Sequence, residues 1–458
     1  MAQSNQKGLR NMTVGSPAGH IFYFALPLLA GSFLQQLYNM VDSWVVGNYV
    51  GDGALAAVGV GFPVIFMFSS LFMGLSNGGT VVIAQFYGAG KMDRVRDAVD
   101  TIYTAFVVSA IPITLLAVFL VKPLLFLLQV ESGAYDEAWL YLTVVCAGII
   151  GTIGYNLNSG ILGGLGNSRT TLLFLSIATV LNILLDLALV LIFDLGVLGV
   201  AVATITAQIF SWLFGVGYIN RRYPDIAIRP FCFRFDRKLF RQIMGIGLPA
   251  GIQMSLVAIG SMAVMSKINS YGKEFTAAYN VGSRLDQLAF LPIQSLSNAV
   301  TAFVGQNIGA KRLDRARQGI RVTVLSSVVW SIAMLVIIPL GPTLVSFFSD
   351  TPAVMEAGAV YLKCIMPFYI PFSVMFCLNN AMRGAGESVF PMVDVILSLI
   401  LLRVPMVYYL ADNFGTDYMY YGIGIGWCLG CLLSVAYYFS GRWKRHGSLA
   451  EENPGEML

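Results

Sequence analysis

The sequence predicts an all-α membrane protein with twelve transmembrane helices in two pseudo-symmetric six-helix bundles. Three observations lead to this prediction: the composition, the long apolar runs and an internal repeat. Of the 458 residues, 57% are hydrophobic and only 11% are charged, and the mean hydropathy is +0.73. Soluble domains carry about 25% charged residues. The missing charge therefore indicates a chain that crosses a membrane many times.

Apolar runs of spanning length occur twelve times. A helix needs about 20 predominantly apolar residues to cross the hydrocarbon core. The first run begins near Ile21 and is much longer than the apolar core of a signal peptide, so we expect it to remain as a spanning helix. The predicted spans, helices 1 to 12, are 20–46, 54–86, 98–121, 135–163, 169–193, 197–219, 239–269, 275–306, 318–341, 354–382, 388–411 and 418–441.

The basic residues give the orientation of these helices. If the N-terminus is cytoplasmic, most Lys and Arg residues fall on the cytoplasmic side, and Lys122, Lys267 and Lys273 fall outside. This asymmetry follows the positive-inside rule. It predicts an even number of spans with both termini in the cytoplasm. The inside set includes Lys7, Arg10, Lys91, Arg94, Arg96, Arg169, the cluster in 221–241, the group in 311–321, Arg383, Arg442, Lys444 and Arg445.

The two halves of the chain repeat each other. "GAGKMDRVRDAV" (88–99) matches "GAKRLDRARQGI" (309–320), and "ILGGLGNS" (161–168) matches "AMRGAGES" (381–388), at a nearly constant offset. Each half holds six predicted helices, so the halves run in the same direction and should be related by an axis along the membrane normal. We expect an N-lobe at 1–225, a cytoplasmic linker at 226–238 and a C-lobe with a cytoplasmic tail at 239–458. This plan is typical of alternating-access transporters.

Acidic and amide side chains lie inside the predicted helices of the first half. At 1.5 Å rise per residue, Asp42 lies roughly 8 Å from the outer end of helix 1, and Asp186 and Thr204 lie roughly 12 Å from the outer ends of helices 5 and 6. A carboxylate facing lipid is costly, so such residues usually face a cavity or pair with a partner. Carboxyl groups beside neutral oxygens suit a monovalent cation or a proton. The alternative is that both aspartates are protonated packing residues. The polar positions are Gln35, Asn39 and Asp42 in helix 1, Asn156 and Ser159 in helix 4, Ser176, Thr179, Asn182 and Asp186 in helix 5, and Thr204, Gln208 and Ser211 in helix 6.

The second half carries its charges elsewhere. Its counterpart of helix 1 contains no acid before Glu274. Arg284 and Asp286 in helix 8 are two positions apart, so they point to different faces and do not pair directly. They are either substrate ligands or part of an inter-helix polar network, and we favour the network. Asp394 and Arg403 lie in helix 11, and Lys363 in helix 10 receives no role.

Several segments resemble the multidrug and toxic compound extrusion (MATE) family over about residues 15–440. They are "PLLAGSFLQQLYNMVDSWVVGNYVGDGALAAVG", "AQFYGAGKMDRVR" and "GQNIGAKRLDRAR". The resemblance implies the MATE/MOP fold with a central cavity, in the cytoplasmic membrane of a bacterium or archaeon. It also implies antiport, in which Na⁺ or H⁺ enters while a small organic, often cationic or amphipathic, compound leaves. Helix 1 would close the cavity by bending at Pro27.

The resemblance also implies where the coupling ion binds. The acid in helix 1 and the Asn–Asp pair in helix 5 resemble the DinF-like branch, whose N-lobe cation site falls on Asp42, Asn182, Asp186 and Thr204. A bound Na⁺ would have Asp42, Asn182 and Asp186 as its ligands. NorM-type members instead carry acids in helices 7 and 10, where this chain has Gln253 and Asn379–Asn380. The residues expected in the substrate cavity are Gln35, Asn39, Asn156, Gln208, Gln253 and Arg284.

Other functional classes fit the sequence less well. The chain shows no nucleophile–base or metal constellation and no nucleotide-binding domain, so we expect a secondary transporter without a cofactor and not an enzyme. A receptor or scaffold would need a soluble partner-binding domain. A lipid-precursor flippase of the same superfamily is the alternative, but such proteins tend to have fourteen helices and a strongly basic cavity. We expect no nucleic-acid partner, and no dimer motif stands out, so we expect a monomer.

Overall fold

A computed structural model describes residues 8–127, 132–229 and 232–444 of the chain. Within these ranges the chain is helical and contains no β-strand. Among the basic residues used to orient the chain, Lys7 and Arg445 lie outside the described residues, as does the rest of the predicted cytoplasmic tail.

Each predicted span coincides with a helix or with consecutive helical segments among the described residues. Ten of these helices are long and apolar enough to cross a membrane, and α4 makes an eleventh if its two segments, bent by 46°, count as one span. The helices are α1 (Pro17–Val50), α2 (Asp52–Gly88), α3 (Met92–Leu127), α4 (Ser132–Ala147 and Ile149–Gly164), α5 (Ser168–Ile192), α6 (Gly196–Arg222), α7 (Arg237–Asn269), α8 (Lys273–Gly309), α9 (Leu313–Ser346), α10 (Pro352–Gly384), α11 (Val389–Phe414) and α12 (Thr416–Ser440).

Large apolar side chains cover the exposed faces of these helices. On α3 they recur at intervals of three and four residues, which places them on one helical face. The same pattern recurs on α9, one repeat later. A soluble protein rarely exposes such stripes, so these faces are suited to contact with lipid. The exposed residues are Val108, Ile111, Leu115 and Phe119 on α3, and Leu325, Val329, Ile332 and Val336 on α9.

The internal repeat extends to individual hydrogen bonds. Thr80 on α2 donates its hydroxyl to the carbonyl oxygen of Gly160 at 2.9 Å. In the second half, Thr301 on α8 donates to the carbonyl oxygen of Asn380 at 3.0 Å. The offset between the matched sequence segments nearest to each residue takes Thr80 to Thr301 and Gly160 to Asn380. The two halves therefore hold their second and fourth helices together by equivalent contacts.

The described contacts divide the chain into two compact units. The first unit comprises Met1–Asn11 and Leu26–Gly251, and the second comprises Met12–Ala25 and Ile252–Leu458. Helix α1 thus passes from the second unit to the first beside Pro27, which lies inside the helix. Proline removes one backbone hydrogen bond and kinks a helix. The change of unit therefore occurs beside the residue that interrupts the backbone hydrogen bonds of α1.

Buried hydrogen bonds hold the start of the chain in the second unit. The backbone N–H of Met12, whose side chain is fully buried, donates to Gln306 Oε1 at 2.8 Å. The Met12 carbonyl oxygen accepts from Arg315 Nε at 3.1 Å, and the Thr13 carbonyl oxygen accepts from Arg312 Nη1 at 2.9 Å. The segment before α1 is therefore anchored to the end of α8 and the beginning of α9.

Glycines allow one unusually close helix approach within the first unit. A Cβ atom on Gly74 of α2 would lie 2.4 Å from the carbonyl oxygen of Gly247 and 2.5 Å from the backbone nitrogen of Gly251. These neighbours are backbone atoms of α7, which cannot rotate away. Small residues at such crossings let helices pack backbone to backbone in a membrane.

Candidate functional site

Two acidic side chains of the first unit are buried in the same region. Asp42 on α1 is 7% exposed, and Asn182 and Asp186 on α5 are fully buried. Asn182 precedes Asp186 by one helical turn, and Asp42 lies within electrostatic range of Asp186. The structure therefore brings together the three residues that the sequence marks as possible Na⁺ ligands.

Several polar atoms of this region have no hydrogen-bond partner among the described residues. They are Asp42 Oδ1, both carboxylate oxygens of Asp186, the amide oxygen and nitrogen of Asn182, and Thr179 Oγ1. Buried polar groups are almost always paired, because an unpaired one keeps its full desolvation penalty. Thr179 lies seven residues before Asp186, on the same face of α5. A concentration of unpaired oxygens here favours a site that binds a ligand.

Two tyrosines border this region, and neither was predicted from the sequence. Tyr38, one turn before Asp42 on α1, donates its hydroxyl to Thr204 Oγ1 on α6 at 3.3 Å. Tyr141 on α4 is 5% exposed and lies within electrostatic range of Tyr38, Asp42 and Asp186. The spacing of Tyr38 and Asp42 could have indicated the first tyrosine. Tyr141 lies in no motif.

Both acid-bearing helices change their winding directly after the acids. The segments Val46–Val50 of α1 and Ala188–Ile192 of α5 are π-helical. A π-helical turn inside an α-helix is rare and occurs frequently at functional sites. Here the two segments are in contact with each other. Each helix therefore has a π-helical segment shortly after its acid, Asp42 in α1 and Asp186 in α5.

The arrangement suits a mobile cation. Two carboxylates that share a buried space repel each other, and both lose the solvation of water. A cation or proton that enters between them removes both penalties, and Asn182 and Thr204 add neutral oxygens. Among the described residues, no group of three or more His, Cys, Asp or Glu side chains has the arrangement of a metal site.

The residues predicted for the substrate cavity come from both units. In the first unit, Gln35, Asn156 and Gln208 are partly buried and Asn39 is exposed. Asn156 donates to the carbonyl oxygen of Thr152 at 2.8 Å, and Gln208 Oε1 is buried with no partner among the described residues. The remaining two, Gln253 and Arg284, belong to the second unit, where Arg284 is exposed.

Gln253 is buried and accepts a hydrogen bond from Arg383, which the sequence analysis counts among the cytoplasmic charges. Arg383 is 6% exposed at the end of α10, and it donates from Nη2 to Gln253 Oε1 at 2.6 Å and from Nη1 to Asn380 Oδ1 at 3.0 Å. Arg383, which the sequence predicts to lie on the cytoplasmic side, is thus buried in a side-chain network at the end of α10. The helix extends to Gly384, so Arg383 is inside it.

Two further acids of the second unit lie in polar networks. Asp394 is fully buried, and its Oδ2 accepts from Asn379 Nδ2 at 2.7 Å and from Ser434 Oγ at 2.8 Å. Asp286 accepts a hydrogen bond from the hydroxyl of Tyr361. Asp286 is thus in a network between helices, which is the interpretation favoured from the sequence.

Comparison with known proteins agrees with this fold. The sequence profile of the MatE family matches residues 27–188 and 249–409, one stretch in each half. The chain is 29% identical to the probable multidrug resistance protein YpnP of Bacillus subtilis, over 95% of this chain and 97% of that one. It is 26% identical to the probable multidrug resistance protein NorM of Thermotoga maritima, over 94% of each chain.

A solved structure shares the fold. It is the outward-facing conformation of a multidrug resistance MATE family transporter of the MOP superfamily. It has a TM-score of 0.88 and 22% identity, and the match covers 97% of this chain and 99% of that one. The family profile covers most of the chain, in both of its repeats. The chain therefore belongs to the MatE family of membrane transporters, whose members are not enzymes.

Proposed function

We propose that the protein is a secondary antiporter that exports small organic compounds, cationic or amphipathic, while Na⁺ or H⁺ moves inward. Membership of a multidrug efflux family supports the export of such compounds. The observation that carries the ion-coupled part is the pair of buried carboxylates, Asp42 and Asp186, since Asp42 Oδ1 and both carboxylate oxygens of Asp186 lack partners among the described residues. We assign the coupling ion to Asp42, Asn182, Asp186 and Thr204, as in the DinF-like branch.

The coupling follows from differential affinity. A ligand shifts an equilibrium between two conformations only by the difference in its affinity for them. An ion bound between the two carboxylates cancels their repulsion and stabilises the arrangement of α1 and α5 that brings them together. The substrate must bind more tightly to the other arrangement, so that binding of either ligand lowers the affinity of the protein for the other.

Helix α1 can transmit this change because of its construction. Its beginning belongs to the second unit, and its acid-bearing part belongs to the first. Pro27 lies one residue beyond the change of unit and removes a backbone hydrogen bond at that point. We infer that ion binding at Asp42 changes the bend of α1 at Pro27, and that this bend exposes the substrate to alternate sides of the membrane. We also propose that both termini lie in the cytoplasm and that the cell is a bacterium or an archaeon.

The test uses bacteria that lack their own efflux pumps. They would express the wild type, Asp42→Asn or the matched control Asp394→Asn, an acid in a hydrogen-bonded network far along the sequence. Ethidium accumulation is followed with and without added sodium, at equal amounts of protein in the membrane. We expect the wild type and the control to lower accumulation and Asp42→Asn to fail.

The same measurement can reject the proposal. If Asp42→Asn exports ethidium as well as the wild type, the acid is a packing residue and the coupling site lies elsewhere.

The sodium dependence of export by the wild type identifies the coupling ion. Export that requires added sodium indicates Na⁺, and export that is indifferent to sodium but follows external acidity indicates H⁺.

A further inference from the structure

A polar cluster in the second unit occupies the place that the candidate ion site has in the first. It consists of Asp286, Tyr361, Tyr369 and Arg403. The Tyr361 hydroxyl donates to Asp286 Oδ2, and Tyr369 is close enough to do the same. Arg403 lies within electrostatic range of Asp286 and of both tyrosines. The mechanism proposed above uses none of these four residues.

The repeat places this cluster in register with the first site. The offset that takes the segment 161–168 to its match 381–388 also takes Tyr141 to Tyr361. Tyr141 is the tyrosine that borders Asp42 and Asp186. Tyr141 and Tyr361 therefore occupy equivalent positions of α4 and α10, and each lies near an acid of its own unit.

Arg403 occupies the equivalent of Asn182 once the helix geometry is considered. By the same offset, Asn182 corresponds to Leu402. Residues Ile396–Leu402 of α11 are π-helical, whereas α5 is α-helical up to Leu187. A π-helical turn contains more residues than an α-helical turn, so the extra residue moves the equivalent position to Arg403. A guanidinium group thus replaces the amide of the first site.

The two acids of the first site have apolar equivalents in the second. The match of Pro27 with Pro249 aligns Asp42 with Val264. The match of Asn182 with Arg403 aligns Asp186 with Val407. Both valines are fully buried. The negative charge of the second cluster comes from α8 instead, through Asp286.

The packing holds the arginine in place. A Cβ atom on Gly426 of α12 would lie 2.9 Å from the Cβ atom of Arg403, so the bare glycine lets α12 approach the arginine. Tyr361 packs edge-on against Tyr279 and Tyr420, with ring centroids 5.3 and 5.0 Å away. Arg403 Nε is buried and has no hydrogen-bond partner among the described residues. The positive group thus lies beside a cluster of tyrosines and within electrostatic range of one acid.

We propose that Arg403 is a built-in cation that fills, in the second unit, the site that the mobile coupling ion fills in the first. The proposal rests on the proposed function, since it takes the first site as the ion site. Asp286 is the counter-ion of this arginine. Such a site is permanently loaded, so the coupling ion exchanges only in the first unit. Removal of the guanidinium leaves a cavity that accepts a small monovalent cation, with Asp286 and the tyrosine hydroxyls as its ligands.

The test is chemical rescue of the full-length protein, with free guanidinium as the probe. Arg403→Ala should lower both ethidium transport in proteoliposomes and the Tm of the purified protein, because Asp286 loses its counter-ion. Millimolar guanidinium chloride should restore both in a saturable manner, by as much as the substitution removed. Choline chloride at the same ionic strength should not. The wild type should not respond to guanidinium at these concentrations.

A double variant keeps the proposal testable if Arg403→Ala folds poorly. Arg403→Ala/Asp286→Asn removes both charges and should have a higher Tm than either single variant, with no response to guanidinium. Arg403→Lys keeps the charge and should retain a Tm above that of Arg403→Ala. The proposal is overturned if guanidinium does not raise the Tm of Arg403→Ala, or if the double variant responds equally. Because Tm is measured without transport, this result is independent of the Asp42→Asn experiment.

Discussion

The contrast between two buried acids, Asp186 and Asp394, gives a quantitative prediction. Both are fully buried. Neither carboxylate oxygen of Asp186 has a hydrogen-bond partner among the described residues, whereas Asp394 Oδ2 accepts two hydrogen bonds, at 2.7 and 2.8 Å. Asp186→Asn therefore removes a desolvated charge and breaks no hydrogen bond. Asp394→Asn removes the charge from an acceptor that holds Asn379 and Ser434.

The hydrogen bonds give the size of the difference. A hydrogen bond to a charged group contributes about 1.5–3 kcal/mol, and a neutral one about 1 kcal/mol. Exchanging two charged bonds for one neutral bond at Asp394 therefore costs about 2–5 kcal/mol. For a unit of about 220 residues, with an unfolding entropy of about 2.1 cal/mol/K per residue, this lowers the Tm by roughly 4–11 °C. Asp186→Asn should leave the Tm unchanged or raise it.

The same two variants should also differ in how their Tm responds to the coupling ion, and here Asp186→Asn is the variant that is affected. An ion present at 100 times its Kd stabilises the folded state by about 2.7 kcal/mol, which corresponds to a rise in Tm of roughly 6 °C by the same entropy. Thermal unfolding of the purified protein is recorded over a range of Na⁺ concentrations and pH. The wild type and Asp394→Asn should show the ion-dependent rise, and Asp186→Asn should not. If the Tm of Asp186→Asn still rises with the ion, or if it falls as far as that of Asp394→Asn, the reasoning is refuted.

Three further substitutions test particular contacts. Pro27→Ala restores a backbone hydrogen bond at the bend of α1 and should slow transport severalfold without loss of protein from the membrane, so an unchanged initial rate would count against bending there. Gly74→Ala forces a Cβ against the backbone of α7 and should cost about 1–3 kcal/mol of stability. The control Gly217→Ala places its new Cβ with no atom within 4 Å and should raise the Tm slightly. Equal changes in Tm for the two variants would contradict the close packing at Gly74. Tyr38→Phe removes the hydrogen bond to Thr204, worth about 0.5–1.5 kcal/mol, so the ion concentration for half-maximal transport should rise roughly 2- to 12-fold, and an unchanged value would show that Thr204 is not a ligand.

The positions of the helices were predictable because hydrophobicity and length alone decide them. The predicted spans differ from the described helices by only a few residues at most ends, and the repeat is visible both in the sequence and in paired contacts such as those of Thr80 and Thr301. The juxtaposition of Asp42 with Asn182 and Asp186 was also predictable. Acids inside apolar segments are rare, so they are conspicuous even in a single sequence.

The rest of the site depends on geometry that a sequence does not express. Tyr141 is one of 21 tyrosines and lies in an ordinary apolar run. The π-helical segments arise from packing between helices and have no composition of their own. The burial of Arg383 was not predictable either, because its partners Gln253 and Asn380 lie on two different helices. The anchoring of Met12 could not be predicted either, because it depends on residues in the opposite half of the chain.

We propose that Asp42 and Asp186 bind the ion whose gradient drives export, and a transport experiment tests this assignment directly. Proteoliposomes that contain the purified protein should be given a Na⁺ gradient or a pH gradient, and ethidium movement against its own gradient should be followed. The wild type should drive it with one of the two ions, and Asp42→Asn/Asp186→Asn should do so with neither while it still exchanges ethidium across the membrane downhill. Gradient-driven movement by the double variant at the rate of the wild type would contradict the account and would place the coupling site outside the first unit's acids.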